Sequence, residues 1–272
     1  MYEKIQETTA YLKSKINTLP EIGIILGSGL GNLGNQIDVD IAIPYGEIPN
    51  FPVSTVKGHT GKLIFGKLGG KNVVALQGRF HFYEGYNMQE VTFPVRIMQA
   101  FNVKLLILSN AAGGMNPDFK VGDIMLINDH INLFPENPLL GPNDDRLGDR
   151  FPDMSEVYSK ELIIKAHKIA KDNGIKLHEG VYAGTTGPTF ETPAEYKYFR
   201  NVGGDTVGMS TVPEAIVARH AGIPCFGTSI VTDLGIEGQV ENVSHEEVLI
   251  AAKAAEPKLT LIVTELIRGL GN

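Results

Sequence analysis

Cysteine and long apolar runs are scarce in this chain of 272 residues. Cys225 is the only cysteine, which excludes an intramolecular disulfide and a cysteine-based metal site and favours a reducing compartment. No apolar run approaches the ~18 residues of a membrane-spanning helix, and the first residues lack the cationic and apolar segments of a signal peptide. A basic excess is also absent, since 24 Lys+Arg against 31 Asp+Glu give a formal charge of −7. We therefore expect a cytoplasmic protein with neither a nucleic-acid nor a membrane partner.

The hydrophobic pattern of the first half predicts helices and strands in alternation. Apolar spacing predicts an amphipathic helix from residue 2 to about 17, and residues 88–101 are predicted to be helical, with a kink or a late start at Pro94. The predicted strands are 22–26, the hairpin arms 62–67 and 72–77 around Gly69-Gly70, 104–108 and 123–127.

Three segments in the second half have a Ser or Thr three residues before a Glu, which is typical of a capped helix start. They are Thr192 to Glu195, Thr211 to Glu214 and Ser244 to Glu247. Strand-like segments precede them at 180–184, 205–209 and 224–232. This alternation predicts an α/β fold with helices on both faces of the sheet, in one domain over residues 1–272. Residues 134–151 are the longest predicted loop, and a loop of that length is usually functional or an interface element.

A glycine-rich loop, Gly27-Ser-Gly-Leu-Gly-Asn-Leu-Gly34, follows the first predicted strand. Its glycines match the G-x-G-x-x-G spacing of dinucleotide-binding folds, but strand-like alternation resumes by residue 37, too soon for the crossover helix of such folds. We therefore expect no dinucleotide fold. The free backbone N–H groups of the loop and the Ser28 hydroxyl can hold an anion, and a tight turn without a ligand is the alternative.

A polar cluster, Gln77-Gly-Arg-Phe-His-Phe-Tyr-Glu-Gly85, follows the second hairpin arm. In extended geometry Arg79, His81 and Tyr83 point the same way. Arg79 offers a bidentate fork to phosphate or carboxylate, and Glu84 is near enough in sequence to orient His81. The alternative is a solvated salt-bridge cluster. Gly58-His-Thr-Gly61 is a weaker hint of the same kind.

A third cluster, Gly187-Pro-Thr-Phe-Glu-Thr-Pro193, precedes a predicted helix. Phe190 can stack on a flat heterocycle while Glu191 accepts its N–H groups, although Glu191 can equally complement the helix dipole. Ser210 and His245 are predicted at two further helix N-termini, where a hydroxyl suits an anion and a neutral imidazole is favoured.

Metal and nucleophile chemistry have little support in the sequence. The 7 histidines form no HExxH or HxxxH pair, and Ser28 does not stand in a G-x-S-x-G motif. We expect neither a metal nor a catalytic triad. The anion site and the planar-ligand site together indicate a phosphate-using reaction of a heterocyclic compound.

These segments, in this order, resemble the trimeric purine nucleoside phosphorylases over nearly the whole chain. The resemblance also includes Ser109-Asn-Ala-Ala-Gly-Gly114, Gly122-Asp-Ile-Met-Leu-Ile-Asn-Asp-His-Ile-Asn132 and Val207-Gly-Met-Ser-Thr-Val-Pro-Glu214. It implies a mixed, partly barrel-like sheet flanked by helices, and a homotrimer. It also implies cleavage of purine (deoxy)ribonucleosides by inorganic phosphate, a co-substrate, without a cofactor.

The resemblance further implies the role of each site residue. Phosphate is expected on Ser28, His59, Arg79, His81, Ala111 and Ser210. The nucleoside is expected on Tyr83, Tyr182, Phe190, Glu191, Met209, Asp233 and His245, with Phe151 supplied by a neighbouring subunit. His81, Glu191 and Asp233 are the expected catalytic residues. Glu191 is expected to accept the N1–H of a 6-oxopurine.

Asp233 departs from the family pattern, which usually has Asn there. Asn donates to both N7 and a 6-oxo group, whereas ionised Asp only accepts, so Asp233 must either be protonated or meet a 6-amino group. The resemblance therefore predicts an inosine and guanosine phosphorylase with adenosine tolerance through Asp233. The alternatives are a phosphorylase that prefers methylthioadenosine or adenosine, a hydrolytic nucleosidase, and a noncatalytic nucleotide-binding module.

Overall fold

Helices and strands alternate along the chain in the computed structural model, which describes residues 1–27, 31–55, 61–236, 238, 240 and 242–271. The described helices are α1 (Tyr2–Lys13), α2 (Met88–Val91), α3 (Phe93–Ala100), α4 (Lys160–Asp172), α5 (Pro193–Asn201), α6 (Val212–His220) and α7 (His245–Arg268). The described strands are β1 (Ile22–Leu26), β2 (Asp38–Pro44), β3 (Lys62–Leu68), β4 (Lys71–Gln77), β5 (Leu105–Gly114), β6 (Ile124–Asn132), β7 (Leu177–Gly184), β8 (Thr206–Gly208) and β9 (Cys225–Leu234).

The strands form one mixed sheet in the order β2-β3-β4-β1-β5-β8-β7-β6-β9. β5 also pairs with β9 in parallel, so the strands from β5 to β9 in this order close into a barrel-like ring. β1 runs parallel to β4 and β5, whereas β2, β3 and β4 are antiparallel neighbours. The mixed, partly barrel-like α/β sheet predicted from the sequence is therefore confirmed.

Burial of apolar residues explains the position of the sheet. All five residues of β1 are buried, as expected for a strand between two parallel neighbours under helices. α1 packs on α3, α3 on α6, and α7 on β9. Full burial of a Leu or Ile side chain contributes about 1.5–3 kcal/mol. Because β1, β4 and β5 run in parallel, their carboxyl ends lie at one edge, where ligands of α/β sheets commonly bind.

Several predicted bounds differ from the observed ones. β1 matches its prediction, and each hairpin arm differs by a single residue. α1 ends at Lys13 although Ile16 continues the apolar spacing, because the Ser14 hydroxyl donates to the Tyr11 carbonyl and Ile16 packs on the core outside the helix. The helix predicted over 88–101 is split at Thr92, two residues before Pro94.

Two of the three predicted capping boxes are confirmed. Thr192 and Glu195 cap α5, and Ser244 and Glu247 cap α7. The third prediction is wrong, because the Thr211 side chain makes no cap bond to α6. Its hydroxyl and the Glu214 carboxylate have other partners, described below.

Residues 133–159 contain no helix and no strand, as predicted for the long loop. α4 follows this loop, with Ser159 as its N-cap, and was not predicted from the sequence. Within the described residues, no helix combines the length and the apolar composition needed to span a bilayer.

Candidate active site

A cavity of about 640 Å³ opens at the carboxyl ends of β4, β5, β8 and β9. It collects side chains from distant parts of the sequence. The lining residues are Thr55, Arg79, His81, Tyr83, Glu84, Asn110, Ala111, Ala112, Gly113, Pro188, Phe190, Glu191, Val207, Gly208, Met209, Ser210, Thr232, Asp233, His245 and Val248. The polar cluster 77–85 and the cluster 187–193 therefore meet in one place, whereas residues 28–30 of the glycine-rich loop lie outside the described residues.

Arg79 is fixed at one end of this cavity by a buried ion pair. Its Nε lies 3.1 Å from Oε1 of Glu214, and both side chains are 2% exposed. Its Nη1 donates to the Ser210 hydroxyl at 2.8 Å and to the Ser109 carbonyl at 3.0 Å. A buried pair keeps its charges only when further hydrogen bonds satisfy them, and these bonds hold the guanidinium plane in one orientation.

Ser210 reaches Arg79 through an unusual turn centred on Thr211. Thr211 has a φ of +71°, and the N–H of Val212 donates to the Ser210 carbonyl at 2.8 Å, which makes a γ-turn. A bulky residue with positive φ costs about 1–3 kcal/mol and persists only where its surroundings hold it. The Thr211 hydroxyl accepts from Asn110 Nδ2 at 2.8 Å and from Arg79 Nη1 at 3.3 Å. The turn therefore explains both the failed capping box and the position of Ser210.

His81 lies beside Arg79 and is oriented by Glu84, as the sequence analysis predicts. Its Nδ1 is 2.9 Å from Glu84 Oε1, and its ring stacks on Tyr83 with 4.6 Å between centroids. Burial lowers the pKa of His81 despite the nearby carboxylate. Although burial opposes it, hydrogen bonds from His81 and Thr55 bring the pKa of Glu84 down to about 2. Ionised Glu84 thus accepts a hydrogen bond from Nδ1–H of neutral His81, whose Nε2 is then a hydrogen-bond acceptor.

Glu191 and Asp233 place two carboxyl groups at another part of the cavity wall. Burial, and then the charge of Asp233, raise the pKa of Glu191. Asp233 Oδ2 accepts a hydrogen bond from the Tyr196 hydroxyl at 2.8 Å, and Oδ1 lies 3.0 Å from the Thr232 hydroxyl. Phe190, 41% exposed, presents a ring beside them. These groups suit a flat ligand with polar edges.

A β-bulge explains why both Thr232 and Asp233 line the cavity. Neighbouring residues of a regular strand point to opposite faces. The register between β5 and β9 shifts at Ala112 and Gly113, so that Gly113 pairs with Asp233 and Thr232 is the extra residue. Bulges beside sites commonly re-aim a side chain in this way.

Most predicted site residues that the structure describes lie in this cavity. They are Arg79, His81, Tyr83, Ala111, Phe190, Glu191, Met209, Ser210, Asp233 and His245. Ser28 and His59 lie outside the described residues.

Two predicted residues lie elsewhere. Tyr182 is fully buried and does not line the cavity, and its hydroxyl accepts from the Ser210 N–H at 3.3 Å, so its nucleoside contact stays a prediction. This hydrogen bond helps to hold Ser210 in place. Phe151 is 88% exposed on the long loop and lies outside this chain's cavity.

Sequence reasoning missed three residues that shape the site. Glu214 and Thr211 were interpreted as a capping pair, and the buried Arg79 that binds both is more than 130 positions away. The local sequence pattern does not single out Tyr196 as a site residue, because a Tyr inside a helix is common. Among the described residues, no group of three or more potential metal ligands occurs.

Comparisons with known proteins agree over the full length. A model of the phosphorylase superfamily matches residues 21–268. Purine nucleoside phosphorylase 1 of Geobacillus stearothermophilus is 51% identical over 98% of both chains. The purine nucleoside phosphorylase of Rattus norvegicus is 50% identical over 99% of this chain and 96% of its own.

Solved structures give the same result. The Schistosoma mansoni purine nucleoside phosphorylase in complex with adenosine has a TM-score of 0.94 at 42% identity, over 99% of this chain and 98% of the other. A Schistosoma mansoni purine nucleoside phosphorylase in complex with inosine has a TM-score of 0.93 at 41% identity, over 99% of this chain and 97% of the other. The chain therefore belongs to the phosphorylase superfamily, in the branch of the purine nucleoside phosphorylases.

Proposed function

We propose that this chain catalyses the reversible phosphorolysis of purine (deoxy)ribonucleosides, inosine and guanosine foremost. A phosphate oxygen attacks C1′ of the sugar, the bond from C1′ to N9 breaks, and its electron pair leaves with the purine. The products are the free base and (deoxy)ribose 1-phosphate. One observation carries the proposal: a single cavity joins an anion-binding end, Arg79 with Ser210, to a planar-ligand end, Phe190 with Glu191 and Asp233.

Phosphate is assigned to the end that holds Arg79, His81, Ala111 and Ser210, with Ser28 and His59 as predicted further contacts. The fixed guanidinium supplies charge, and Ser210, just before α6, supplies a hydroxyl near a helix N-terminus. Nε2 of neutral His81 accepts a hydrogen bond from the hydroxyl of monohydrogen phosphate. Because phosphate is itself the nucleophile, the reaction needs neither a covalent enzyme intermediate nor a cofactor.

The sugar is assigned to the middle of the cavity, where Tyr83, Met209 and His245 line the wall. These groups mainly hold C1′ over phosphate, because correct orientation of two reactants by itself lowers the activation barrier of their reaction strongly. His245 is the first residue of α7. A helix N-terminus disfavours an imidazolium, so this side chain suits a hydrogen bond to a sugar hydroxyl.

The purine is assigned to the wall formed by Phe190, Glu191 and Asp233. The ring stacks on Phe190, and ionised Glu191 accepts N1–H of a 6-oxopurine. Negative charge develops on the departing base in the transition state. A proton donated by Asp233 to N7 stabilises this charge and lowers the activation barrier. Protonated Asp233 thus serves inosine, whereas ionised Asp233 accepts from the amino group of adenosine.

Purine release from inosine, measured with and without phosphate, tests the proposal. We expect release that depends on phosphate and yields ribose 1-phosphate. Equal release without phosphate indicates a hydrolytic nucleosidase, and absence of release with bound ligand indicates a binding module. Comparing inosine, guanosine, adenosine and methylthioadenosine tests the remaining alternative, a methylthioadenosine-preferring phosphorylase, which the relatives named above do not favour.

The assembly is proposed to be a homotrimer in which Phe151 completes a neighbour's cavity. The support is its exposure, 88%, on a loop of irregular structure. A cytoplasmic location is part of the same proposal, because a single buried cysteine suits a reducing compartment.

A further inference from the structure

Tyr196 connects the two carboxyl groups of the purine wall. Its hydroxyl donates to Asp233 Oδ2 at 2.8 Å, and Glu191 lies close enough to the same hydroxyl to raise its pKa. Burial and the charges of Asp233 and Glu191 raise the pKa of Tyr196, so the phenol keeps its proton. The side chain is 3% exposed and does not line the cavity, so it acts on a ligand only through its neighbours.

Two glycines leave the space that the Tyr196 side chain occupies. A Cβ at Gly235 would lie 2.0 Å from Tyr196 Cδ1, and one at Gly113 would lie 3.0 Å from both the Tyr196 hydroxyl and Asp233 Oδ2. Side chains at either position would displace the ring or the carboxyl group. The two glycines therefore make the room in which the hydroxyl meets Asp233.

We propose that Glu191, Tyr196 and Asp233 form one hydrogen-bonded unit that holds a single proton between its two carboxyl groups, and that Tyr196 is the positioning residue through which the site accepts 6-amino as well as 6-oxo purines. Two carboxylates that share a partly dry site do not both ionise readily. The inference rests on the proposed function and adds to it the residue that decides adenosine tolerance.

The unit has two arrangements that differ in the location of this proton. With the proton on Glu191 and a carboxylate on Asp233, the wall presents a donor to N1 and an acceptor to the amino group of adenine. With the proton on Asp233 and a carboxylate on Glu191, it presents an acceptor to N1–H and a donor to the purine edge of hypoxanthine. The phenol donates its one hydrogen to whichever carboxyl group is ionised, and the number of protons is the same in both arrangements.

The hydrogen bond from Tyr196 stabilises the Asp233 carboxylate, which is the form that suits adenine. A hydrogen bond to an ionised acceptor is about twice as strong as one to a neutral acceptor, and the phenol donates to Asp233. Removing the hydroxyl therefore disfavours the Asp233 carboxylate and, with it, adenosine.

Other charged groups surround the unit. Glu195 on the same helix raises the pKa of Glu191, and His245 lines the same cavity from α7. Lys197 and Arg200 line, together with Tyr196, a second cavity of about 690 Å³. These groups remain unchanged in the variants below, so a comparison of variants isolates the hydroxyl.

Tyr196→Phe tests the inference, because it removes the hydroxyl and keeps the ring that fits Gly235. We expect the adenosine-to-inosine ratio of kcat/KM to fall on the order of tenfold, the effect of one charge-assisted hydrogen bond. Tyr198→Phe is the matched control, since Tyr198 lies on the same helix and is 56% exposed. A ratio that is unchanged or rises in Tyr196→Phe, with Tyr198→Phe at the wild-type ratio, overturns the inference.

A double variant separates an action through Asp233 from a general loss of structure. In an Asp233→Asn background the Asp233 carboxyl group is gone and the phenol can act only on Glu191, so adding Tyr196→Phe should no longer lower the adenosine-to-inosine ratio. A further fall of similar size in the double variant contradicts the positioning role. Phosphate-dependent cleavage of inosine by the wild type tests the proposed function separately, so the two failures are distinguishable.

Infrared difference spectra give a measurement that does not require the Phe variant to fold. A protonated carboxyl band is expected with either bound base. It should vanish with adenine in Glu191→Gln and with hypoxanthine in Asp233→Asn. A band that belongs to the same carboxyl group with both bases contradicts the shared proton.

Discussion

At the scale of single residues, Arg79 contributes both to the stability of the fold and to the proposed binding of phosphate. Arg79→Ala should lower kcat/KM for phosphate at least tenfold, because one charge-assisted contact contributes about 1.5–3 kcal/mol. The same change leaves Glu214 buried without its cation, which costs about 3–5 kcal/mol of unfolding free energy. Kinetics at varied phosphate and urea unfolding measure the two effects.

Adding Glu214→Gln to Arg79→Ala separates these effects. The double variant should recover part of the lost stability, because the buried uncompensated carboxylate is gone, while phosphate use stays impaired. Wild-type phosphate kinetics in either variant contradict the assignment of Arg79.

Residues such as Glu214 mark where sequence reasoning ends. Arg79, His81 and Glu84 were predictable together because they are neighbours in the chain and share one strand end. Glu214 and Thr211 meet Arg79 only through the sheet, and their local pattern already had a satisfactory explanation as a helix cap. Asp233 was identified by resemblance, but its partner Tyr196 could not be, because no local pattern signals a contact across 37 positions.

At the scale of elements, the N-terminus of α7 positions His245 at the cavity. Ser244→Ala should cost about 1 kcal/mol of stability, because the Ser244 hydroxyl accepts from the Glu247 N–H in a reciprocal capping box. The first turn that carries His245 then frays, so KM for the nucleoside should rise several-fold while KM for phosphate stays unchanged.

Ser159→Ala is the control for that prediction. Ser159 caps α4, none of whose residues lines the cavity, so it should lose similar stability without a change in KM. Equal KM effects from the two variants contradict a link between the cap of α7 and the site.

The elements themselves were largely predictable from periodicity. Segments with strong apolar runs and glycine boundaries, such as β1 and the β3–β4 hairpin, have nearly the predicted bounds. β5 and β6 extend further than predicted, because their last residues pair across the closed ring rather than bury a continuous apolar stretch. That closure is a long-range property that no local window contains.

At the scale of the whole molecule, buried and half-buried histidines couple stability to pH. Burial lowers the pKa of His81, His130 and His220 below the value of about 6.5 expected in the unfolded chain. The unfolded chain therefore binds more protons below pH 6.5, and stability that is complete above that pH is lost as pH falls. Glu191 acts in the opposite sense, because its pKa is raised.

Calorimetry between pH 8 and pH 5 measures the combined effect of these histidines and Glu191 on Tm. Tm should fall below about pH 6.5. His130→Asn should reduce the slope of Tm against pH, because the lowered pKa of His130 is one source of that slope. A Tm that is constant from pH 7 to pH 5 contradicts the prediction.

The proposed assembly gives the other prediction at this scale. Phe151→Ala should weaken nucleoside binding and leave phosphate binding nearly intact, because Phe151 lies outside its own chain's cavity. Light scattering at assay concentration measures the oligomer. A fully active monomer refutes the role of Phe151.

The strand order also bears on aggregation. Among the described strands, β9 at one end of the order is closed onto β5, whereas β2 at the other end has a partner on one side only. An exposed strand edge is a template for pairing with another chain. β2 carries Asp38, Asp40 and Pro44 and a register shift between Val39 and Ile41, and charge, proline and bulges are features that discourage such pairing. These features of β2 therefore disfavour edge-to-edge pairing between copies of the chain.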